Sequence, residues 1–182
     1  MDGASDEELM ARISRGDEQA FRSLASRYVP RALGLARRVL GSEADAEEVV
    51  QEALLRVWLN AARWRPTAAF RTWFYRIVLN LCLNRKRRAP FATLADIDEP
   101  ADPAPDPVHE IEHRQTDRLV AAAIANLPER QRIAIVLTYQ EGTSNADAAV
   151  VLGTTISGIE TLLVRARRAL RKALGPALES EE

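Results

Sequence analysis

Residues 144–170 read SNADAAVVLGTTISGIETLLVRARRAL and predict two helices joined by a tight turn. Ser144 is a typical capping residue for the first helix, and Asp147 stands at its third helical position. Gly153 ends that helix, and a longer helix follows whose apolar residues recur at helical spacing: Ile156, Ile159, Leu163, Ala166 and Leu170. A short capped helix, a glycine turn and a longer, arginine-rich helix are the pattern of a helix-turn-helix.

The face of the longer helix that points away from these apolar residues predicts contact with duplex DNA. Small polar groups suit base edges in the major groove, and arginine suits phosphate. The alternative interpretation is a solvated basic helix end, which the helix dipole favours. We prefer contact with DNA, because the turn between the helices and the positive charge of the second helix both support it. The face carries Ser157, Gly158, Glu160, Thr161, Val164, Arg165 and Arg168, with Arg167, Arg171 and Lys172 nearby.

Helical pattern upstream of this motif begins near Val108 and again at Pro128, and four further helices are predicted before residue 90. The first begins at a capping box formed by Ser5 and Glu8. Pro30 falls inside the second helix and is expected to kink it or divide it in two. The third and fourth helices carry apolar stripes within residues 46–61 and 70–82. No alternating strand pattern competes, so the predicted fold class is all-α.

Residues 89–107, APFATLADIDEPADPAPDP, predict a flexible connection between two small helical domains. They hold five prolines and five acidic residues, a composition that neither buries a core nor keeps a helix. We therefore expect a helical domain over 1–90, a Pro/Asp-rich acidic linker over 91–107, a helix-turn-helix domain over 108–175 and a tail over 176–182.

The composition is that of a globular chain, since 47% of the 182 residues are hydrophobic and 28% are charged. A single cysteine excludes an internal disulfide, and Cys82 falls in an apolar stripe, which favours a buried thiol over a redox or metal role. The N-terminus lacks the pattern of a secretion signal, and no run approaches the roughly 20 apolar residues of a bilayer span. A cytoplasmic location without membrane insertion is expected.

The net charge of −1 hides a strong segregation of charge. Residues 60–88 carry eight Arg or Lys and no acid, whereas residues 89–113 carry seven acids and no Arg or Lys. Five of the ten aromatic residues also lie between Trp64 and Tyr75, among these arginines. Because bases stack on rings while arginine neutralises phosphate, the basic stretch favours single-stranded nucleic acid. Phe74 fits the structural stripe better, whereas Trp64 and Tyr75 are less easily explained as core.

The third helix has an acidic outer face, which ordinarily indicates no more than solvation. Beside two surfaces for nucleic acid, however, an acidic face suits a protein partner better than it suits DNA. The face holds Asp45, Glu48, Gln51, Glu52 and one apolar residue, Leu55.

The segment HEIEH at residues 109–113 matches the H-E-x-x-H motif of zinc metalloproteases. His109 and His113 lie one turn apart, and the glutamate between them would be the general base. A third ligand would have to be a carboxylate such as Asp117 or Glu129, because the chain has no other histidine. We therefore interpret the segment as a helix start at a domain boundary, and we expect no enzymatic activity, catalytic residue, metal site or cofactor.

Four motifs together resemble the bacterial extracytoplasmic-function (ECF, group IV) sigma factors of RNA polymerase. They occur in the family's order and spacing around a weakly patterned linker, and they span most of the chain. The motifs are DAEEVVQEALLRVW (45–58), AAFRTWFYRIVLNLCLNRKRR (68–88), LPERQRIAIVLTYQEG (127–142) and SNADAAVVLGTT with VRARRAL (144–155 and 164–170).

The resemblance implies a subunit that binds core RNA polymerase, directs it to specific promoters and promotes DNA opening. In that family the DAEEVVQE helix docks on the clamp helices of the largest polymerase subunit, which implicates Asp45, Glu48, Gln51, Glu52 and Leu55. The following loop and helix capture unpaired bases of the minus-ten promoter element, which implicates Asn60, Arg63, Trp64, Arg65, Arg71, Arg76 and Asn80.

The C-terminal helix-turn-helix corresponds to the family's reader of the minus-thirty-five element. This implicates Thr155, Ser157, Gly158, Glu160, Thr161, Arg165 and Arg168. The resemblance places the LPERQR segment near the polymerase flap, and it threads the linker across the polymerase surface. Such sigma factors are commonly held inactive by an anti-sigma factor, so a second protein partner is implied.

Glu160 and Leu162 stand where the family usually has Lys and Arg. In one interpretation Glu160 accepts a hydrogen bond from cytosine N4, which would alter promoter preference. In the other, the helix is seated differently and Leu162 is partly packed.

The alternative function from the same residues is a helix-turn-helix regulator that binds DNA without polymerase. Its N-terminal bundle would serve for dimerisation or sensing. It predicts tight binding to specific duplex DNA and a dimer, because paired half-sites favour two-fold symmetry.

Overall fold

The computed structural model describes residues 4–88 and 118–178, and all regular structure in these two ranges is helical. The first range contains helices α1 (Asp6–Ile13), α2 (Glu18–Leu40), α3 (Glu43–Asn60) and α4 (Phe70–Arg88), with a short 3-10 turn over Ala61–Arg63. The second contains α5 (118–125), α6 (Glu129–Ile135) with a π-helical turn over Val136–Gln140, α7 (Asn145–Leu152) and α8 (Ile156–Leu178). The predicted all-α fold class is confirmed. The predicted linker, 91–107, and the HEIEH segment lie outside the described residues.

Side-chain caps define where several helices begin, as the sequence predicts. At α1, the Ser5 hydroxyl accepts from the Glu8 N–H at 3.2 Å, and the Glu8 carboxylate accepts from the Ser5 N–H at 2.7 Å. Gly41 and Gly153 end α2 and α7 at φ 72° and 60°, a left-handed backbone that favours glycine. The caps of α2, α3 and α7 are Asp17, Ser42 and Ser144, each accepting from a backbone N–H of the first turn.

Pro30 does not divide α2, which runs unbroken through it, so that part of the prediction is wrong. The side chain of Pro30 is exposed, whereas Ala32, Leu35 and Ala36 are buried. The ring therefore lies on the solvent side of the helix. Water can there satisfy the carbonyl that proline leaves without its usual donor, so the interruption costs less than it would inside the core.

An aromatic cluster forms the centre of the N-terminal bundle. Phe70 and Phe74 stack with ring centroids 5.7 Å apart and planes at 12°. Tyr28 of α2 meets both rings edge-on, at 5.1 Å and 5.9 Å. Offset-stacked and edge-on pairs are the arrangements that aromatic rings prefer, so the cluster fixes the packing of α4 on α2.

The C-terminal domain packs on the N-terminal bundle through α7 against α4 and α6 against α2. Tyr75 of α4 is fully buried, and its hydroxyl donates to Glu141 Oε2 at 2.6 Å. Tyr75, which the sequence made less easy to explain as core, is therefore a core residue. The helical stripe of α4 could not reveal its burial, because Tyr75 bonds a residue 66 positions away in the chain.

Length and apolar composition single out no individual helix of the described residues as able to cross a bilayer. Taken as a pair bent by 97°, Asn145–Leu152 and Ile156–Gly175 meet those two criteria.

Cys82 is buried, and burial raises the pKa of its thiol to about 12. The thiolate is the nucleophile, so we expect the native thiol to resist an aromatic disulfide reagent at mildly alkaline pH. The chain unfolded in urea should react at once. Release of the coloured leaving group measures both rates, and rapid stoichiometric labelling of the folded protein would contradict the burial.

Candidate nucleic-acid interface

The outer face of α3 presents most of the residues predicted to bind a protein. Ala46, Val49, Val50, Ala53 and Val57 are buried on the inner face. Glu48, Gln51, Glu52 and Leu55 are exposed on the other side.

Leu59 extends that face and was not found from the sequence. It is 68% exposed and lies one turn after Leu55, which is 55% exposed. The spacing of four residues was the signal that could have identified the pair, because residues i and i+4 are neighbours on a helix. We call Gln51, Leu55 and Leu59, with Glu48 and Glu52 beside them, the α3 docking face.

Arg85 of α4 pairs with two of the acidic residues predicted on α3. Its guanidinium lies 2.6 Å from Glu48 Oε2 and 2.7 Å from Asp45 Oδ1. The hydrogen bond to Glu48 and the negative charge of both carboxylates raise the pKa of Arg85. Asp45 is half-buried in this contact, so it orients α3 on α4 and is less open to a partner than Gln51 or Glu52.

The residues predicted to bind a single strand lie in the connection after α3 and along α4. Asn60, Arg63 and Arg65 are exposed in the connection. Trp64 is half-buried, with its ring centroid 6.3 Å from those of Phe70 and Trp73. Its indole Nε1 is buried and has no hydrogen-bond partner among the described residues. The cluster thus holds the Trp64 ring in place at the edge of the bundle.

Arg76 and Asn80 are exposed one turn apart on α4, whereas Arg71 is half-buried. The structure therefore joins three of the expected components in one domain: exposed cations, an exposed amide and an aromatic ring partly open to solvent. Single-stranded nucleic acid needs this combination, because rings stack on bases and cations neutralise phosphate.

The helix-turn-helix forms as predicted, and α8 presents a polar face. Ile159, Leu163 and Ala166 are buried beneath it. Among the predicted DNA-binding residues of this helix, Ser157, Glu160, Thr161, Arg165 and Arg168 are exposed. Leu162 is half-buried and packs against the core, which agrees with the second interpretation of that position. Glu160 remains exposed, so its contact with cytosine stays a prediction.

Thr155 and Gly158 have structural roles at the start of α8. The Thr155 hydroxyl accepts from the Gly158 N–H at 3.0 Å and so caps the helix. A Cβ atom at position 158 would lie 2.5 Å from the Thr154 Oγ1, which is shorter than any normal contact. Gly158 therefore permits the close approach of the turn to the helix.

The two halves of the chain match two family models, Sigma-70 region 2 over residues 24–90 and Sigma-70, region 4 over residues 117–170. The chain is 36% identical to the ECF RNA polymerase sigma factor SigM of Mycobacterium tuberculosis, over 94% of this chain and 85% of that protein. It is 33% identical to the RNA polymerase sigma-H factor of Pseudomonas aeruginosa, over 95% of each.

A solved structure of CnrH in complex with the cytosolic domain of CnrY has the same fold. The TM-score is 0.72 at 27% identity, over 95% of this chain and 99% of CnrH. Sigma factors are typically non-catalytic initiation factors, in agreement with the expectation of no enzymatic activity. Both sigma regions are present, in order, and relatives match along nearly the whole length. The chain belongs to the extracytoplasmic-function sigma factors, and it is an alternative sigma factor that directs RNA polymerase.

Proposed function

We propose that this sigma factor, of group IV, holds core polymerase through the α3 docking face and reads promoter DNA through two further surfaces. The observation that carries the proposal is the exposed pair Leu55 and Leu59 within an acidic helix face. Isolated exposed leucines are common, but an apolar centre with a charged rim is typical of a protein interface. This pair lies within the residues that match Sigma-70 region 2.

The proposed partner of this face is the pair of clamp helices of the largest polymerase subunit. Leu55 would supply the apolar anchor, with Leu59 beside it, and Gln51 and Glu52 would form polar contacts around them. Glu48 and Asp45, already paired with Arg85, would contribute through their remaining oxygen atoms.

The connection after α3 and the exposed side of α4 are proposed to capture unpaired bases of the minus-ten element. Trp64 offers a ring for stacking, and this would favour the opened over the paired strand. Asn80 would hydrogen-bond a base edge, while the arginines would contact phosphate. The proposed set is Asn60, Arg63, Trp64, Arg65, Arg71, Arg76 and Asn80.

The exposed face of α8 is proposed to enter the major groove of the minus-thirty-five element. Ser157, Glu160 and Thr161 would face base edges, and Arg165 and Arg168 would contact phosphates. Thr155 and Gly158 would place the start of the helix against the backbone. The LPERQR segment at the start of α6 is proposed to lie near the polymerase flap.

An anti-sigma factor is proposed as a further partner, acting in the cytoplasm. CnrH, the solved relative, is in complex with the cytosolic domain of another protein, CnrY. The same exposed faces that would bind polymerase and DNA are available to such an inhibitor. No cofactor or metal is assigned to any of these surfaces.

Transcription of the fragmented source genome by core polymerase, with and without this protein, tests the proposal. Start sites that appear only with the protein should share two conserved elements, ten and thirty-five base pairs upstream. Mapping the RNA 5′ ends avoids guessing a single promoter. The absence of any new start site with active core polymerase would contradict the function, and start sites lost on Leu55→Ala substitution would assign the docking face.

Removal of the arginines on α8 should reduce the salt dependence of DNA binding. We expect Arg165→Ala with Arg168→Ala to lower the slope of log affinity against log salt by about 0.9 per lost phosphate contact, because fewer counterions are released. Fluorescence anisotropy with random duplex DNA at low salt measures it. Arg22→Ala, at an exposed position on α2, is the matched control, and an equal effect there would refute the assignment.

A further inference from the structure

A cavity of about 370 Å³ lies between the C-terminal domain and α2 of the N-terminal bundle. Its volume falls within the range of small-molecule sites in proteins. Arg38 lines the cavity from α2, Arg132 from α6, and Gln140 from the π-helical turn that follows α6. The other residues of the lining belong to α5. The cavity therefore has walls from both domains.

Helix α5 supplies an apolar wall. Its lining residues are Val120, Ala121, Ile124 and Ala125, which recur at spacings of one, three and four residues and so lie on one face of the helix. Ile124 is buried, and the two alanines are small. This wall can take up the apolar body of a ligand, but it offers no charged side chain to hold it.

Arg132 has a guanidinium group that is only partly satisfied. Its Nη1 donates to the Ala125 carbonyl oxygen at 2.8 Å. Its Nε is buried and has no hydrogen-bond partner among the described residues. A buried donor without an acceptor is costly, and such a group commonly marks the place of a water or an ion. Because Nε belongs to the edge of the guanidinium that binds oxyanions through two parallel hydrogen bonds, Arg132 is equipped to hold one.

Arg38 brings a second positive charge to the same cavity. In the described part of the chain its side chain has no hydrogen bond or ion pair, whereas its neighbour Arg37 pairs with Glu43. A Cβ atom at position 34 would lie 3.0 Å from the Arg38 Nη1, so the guanidinium lies back over α2 in the space that Gly34 leaves. Arg38 is therefore held beside the cavity without a counter-charge.

The charges of the lining select the kind of anion. None of the seven lining residues is acidic, and two are arginines. A phosphate monoester carries a charge of about −1.5 to −2 at neutral pH, which matches two guanidinium groups, whereas a single carboxylate would leave one of them uncompensated. The Gln140 amide can donate and accept, so it suits a polar group on the ligand body.

We propose that this cavity binds a small phosphate monoester, with the phosphate held by Arg38 and Arg132 and the body of the ligand packed against α5. Arg38 belongs to the N-terminal bundle, and the rest of the site belongs to the C-terminal domain. The site is complete only while the two domains are packed together. Ligand binding and domain packing therefore favour each other by linkage.

Titration of the ¹⁵N-labelled full chain with adenosine 5′-monophosphate and with phenyl phosphate tests the site. At least one of them should shift the backbone amides of α5 and of residues 38 and 132 saturably, with a dissociation constant of about 1 mM or below. Inorganic phosphate and adenosine, each offering one half of the ligand, should bind about tenfold more weakly or worse. Shifts confined to the arginines of α8, or no saturation with either probe, would overturn the proposal.

Two variants remove the phosphate contacts separately. Arg38→Gln removes one charge, and Arg132→Lys keeps its charge but loses the Nε edge. Each should weaken the bound monoester about tenfold or more, since hydrogen bonds to charged groups are among the stronger ones. The matched control is Arg37→Gln on the same helix, which should bind within about twofold of the wild type. Circular dichroism checks that all three proteins are folded.

An equal loss in Arg37→Gln would show that the anion responds only to the net positive charge, and it would contradict the site. Unchanged affinity in either cavity variant would do the same. A third outcome concerns the acids between the two domains. If the monoester binds only after Asp96, Asp98, Glu99, Asp102 and Asp106 are replaced by amides, the chain's own carboxylates hold the arginines, and the proposal fails.

Discussion

Replacement of Phe74 by alanine is expected to destabilise the protein by about 3–5 kcal/mol, which is a large share of the roughly 5–15 kcal/mol that stabilises a typical folded protein. Phe74 is fully buried, stacks on Phe70 and meets Tyr28 edge-on. The substitution removes the ring from a close-packed cluster and leaves a cavity that the surrounding helices fill only in part. Urea unfolding followed by far-UV circular dichroism measures the change.

The control for this prediction is Tyr139→Ala, an equivalent loss of an aromatic ring at a site that is 61% exposed. It should change the free energy of unfolding by less than about 0.5 kcal/mol, as surface substitutions usually do. Phe74→Leu should fall between the two, since most of the volume is retained. A Phe74→Ala protein as stable as the control would show that the aromatic cluster does not hold α4 on α2.

Truncation of the two exposed leucines on α3 should have the largest effect on activity. Hot-spot side chains at interfaces contribute about 1–2 kcal/mol or more each, so Leu55→Ala with Leu59→Ala should weaken binding to core polymerase by about thirtyfold to several hundredfold. Competition against a labelled sigma factor for core polymerase measures the affinity. Stability should hardly change, because these side chains make few contacts in the free protein.

Leu119→Ala is the matched control, since Leu119 is 50% exposed but lies on α5, away from the docking face. It should leave the affinity for polymerase unchanged. Normal binding by the double variant would refute the α3 docking face, whereas equal losses in the double variant and the control would point to a nonspecific effect of surface apolarity.

The helices and their starts were predictable because the signals for them are local. Ser5, Asp17, Ser42 and Ser144 each cap a helix within the next three residues, so a short stretch of sequence contains both partners. The helix-turn-helix likewise depends on neighbours, with Gly153 ending α7 and a short turn before α8. Pro30 was the exception, because its cost depends on which side of α2 faces water.

The parts of the site that the sequence did not predict depend on contacts between distant residues. Tyr75 is explained by Glu141 and Thr72 by Asp147, pairs separated by 66 and 75 positions. The pairing of Arg85 with Asp45 and Glu48 likewise depends on how α4 crosses α3. No periodicity within one helix reports which other helix will cover it, so burial at a domain interface is not readable from such a pattern.

The sequence also suggested two other functions, a helix-turn-helix regulator that works without polymerase and a zinc hydrolase. A regulator that works without polymerase is set aside, because both sigma regions match and relatives align over nearly the whole chain. Within residues 4–88 and 118–178 no group of three or more potential metal ligands occurs. His109 and His113 of the HEIEH segment lie outside those ranges.

The contact between Gly158 and Thr154 limits how promoter preference can be re-engineered. A Cβ atom at position 158 would lie 2.5 Å from the Thr154 Oγ1, whereas Ser157, Glu160 and Thr161 are exposed, with the Thr161 hydroxyl donating to the Ser157 carbonyl oxygen. A library intended to produce orthogonal variants can therefore randomise those three positions together, since residues three and four apart are neighbours on a helix. A side chain at position 158 requires that the Thr154 hydroxyl turns away or that residue 154 is made smaller, so fewer substitutions are tolerated at this position than at the exposed ones.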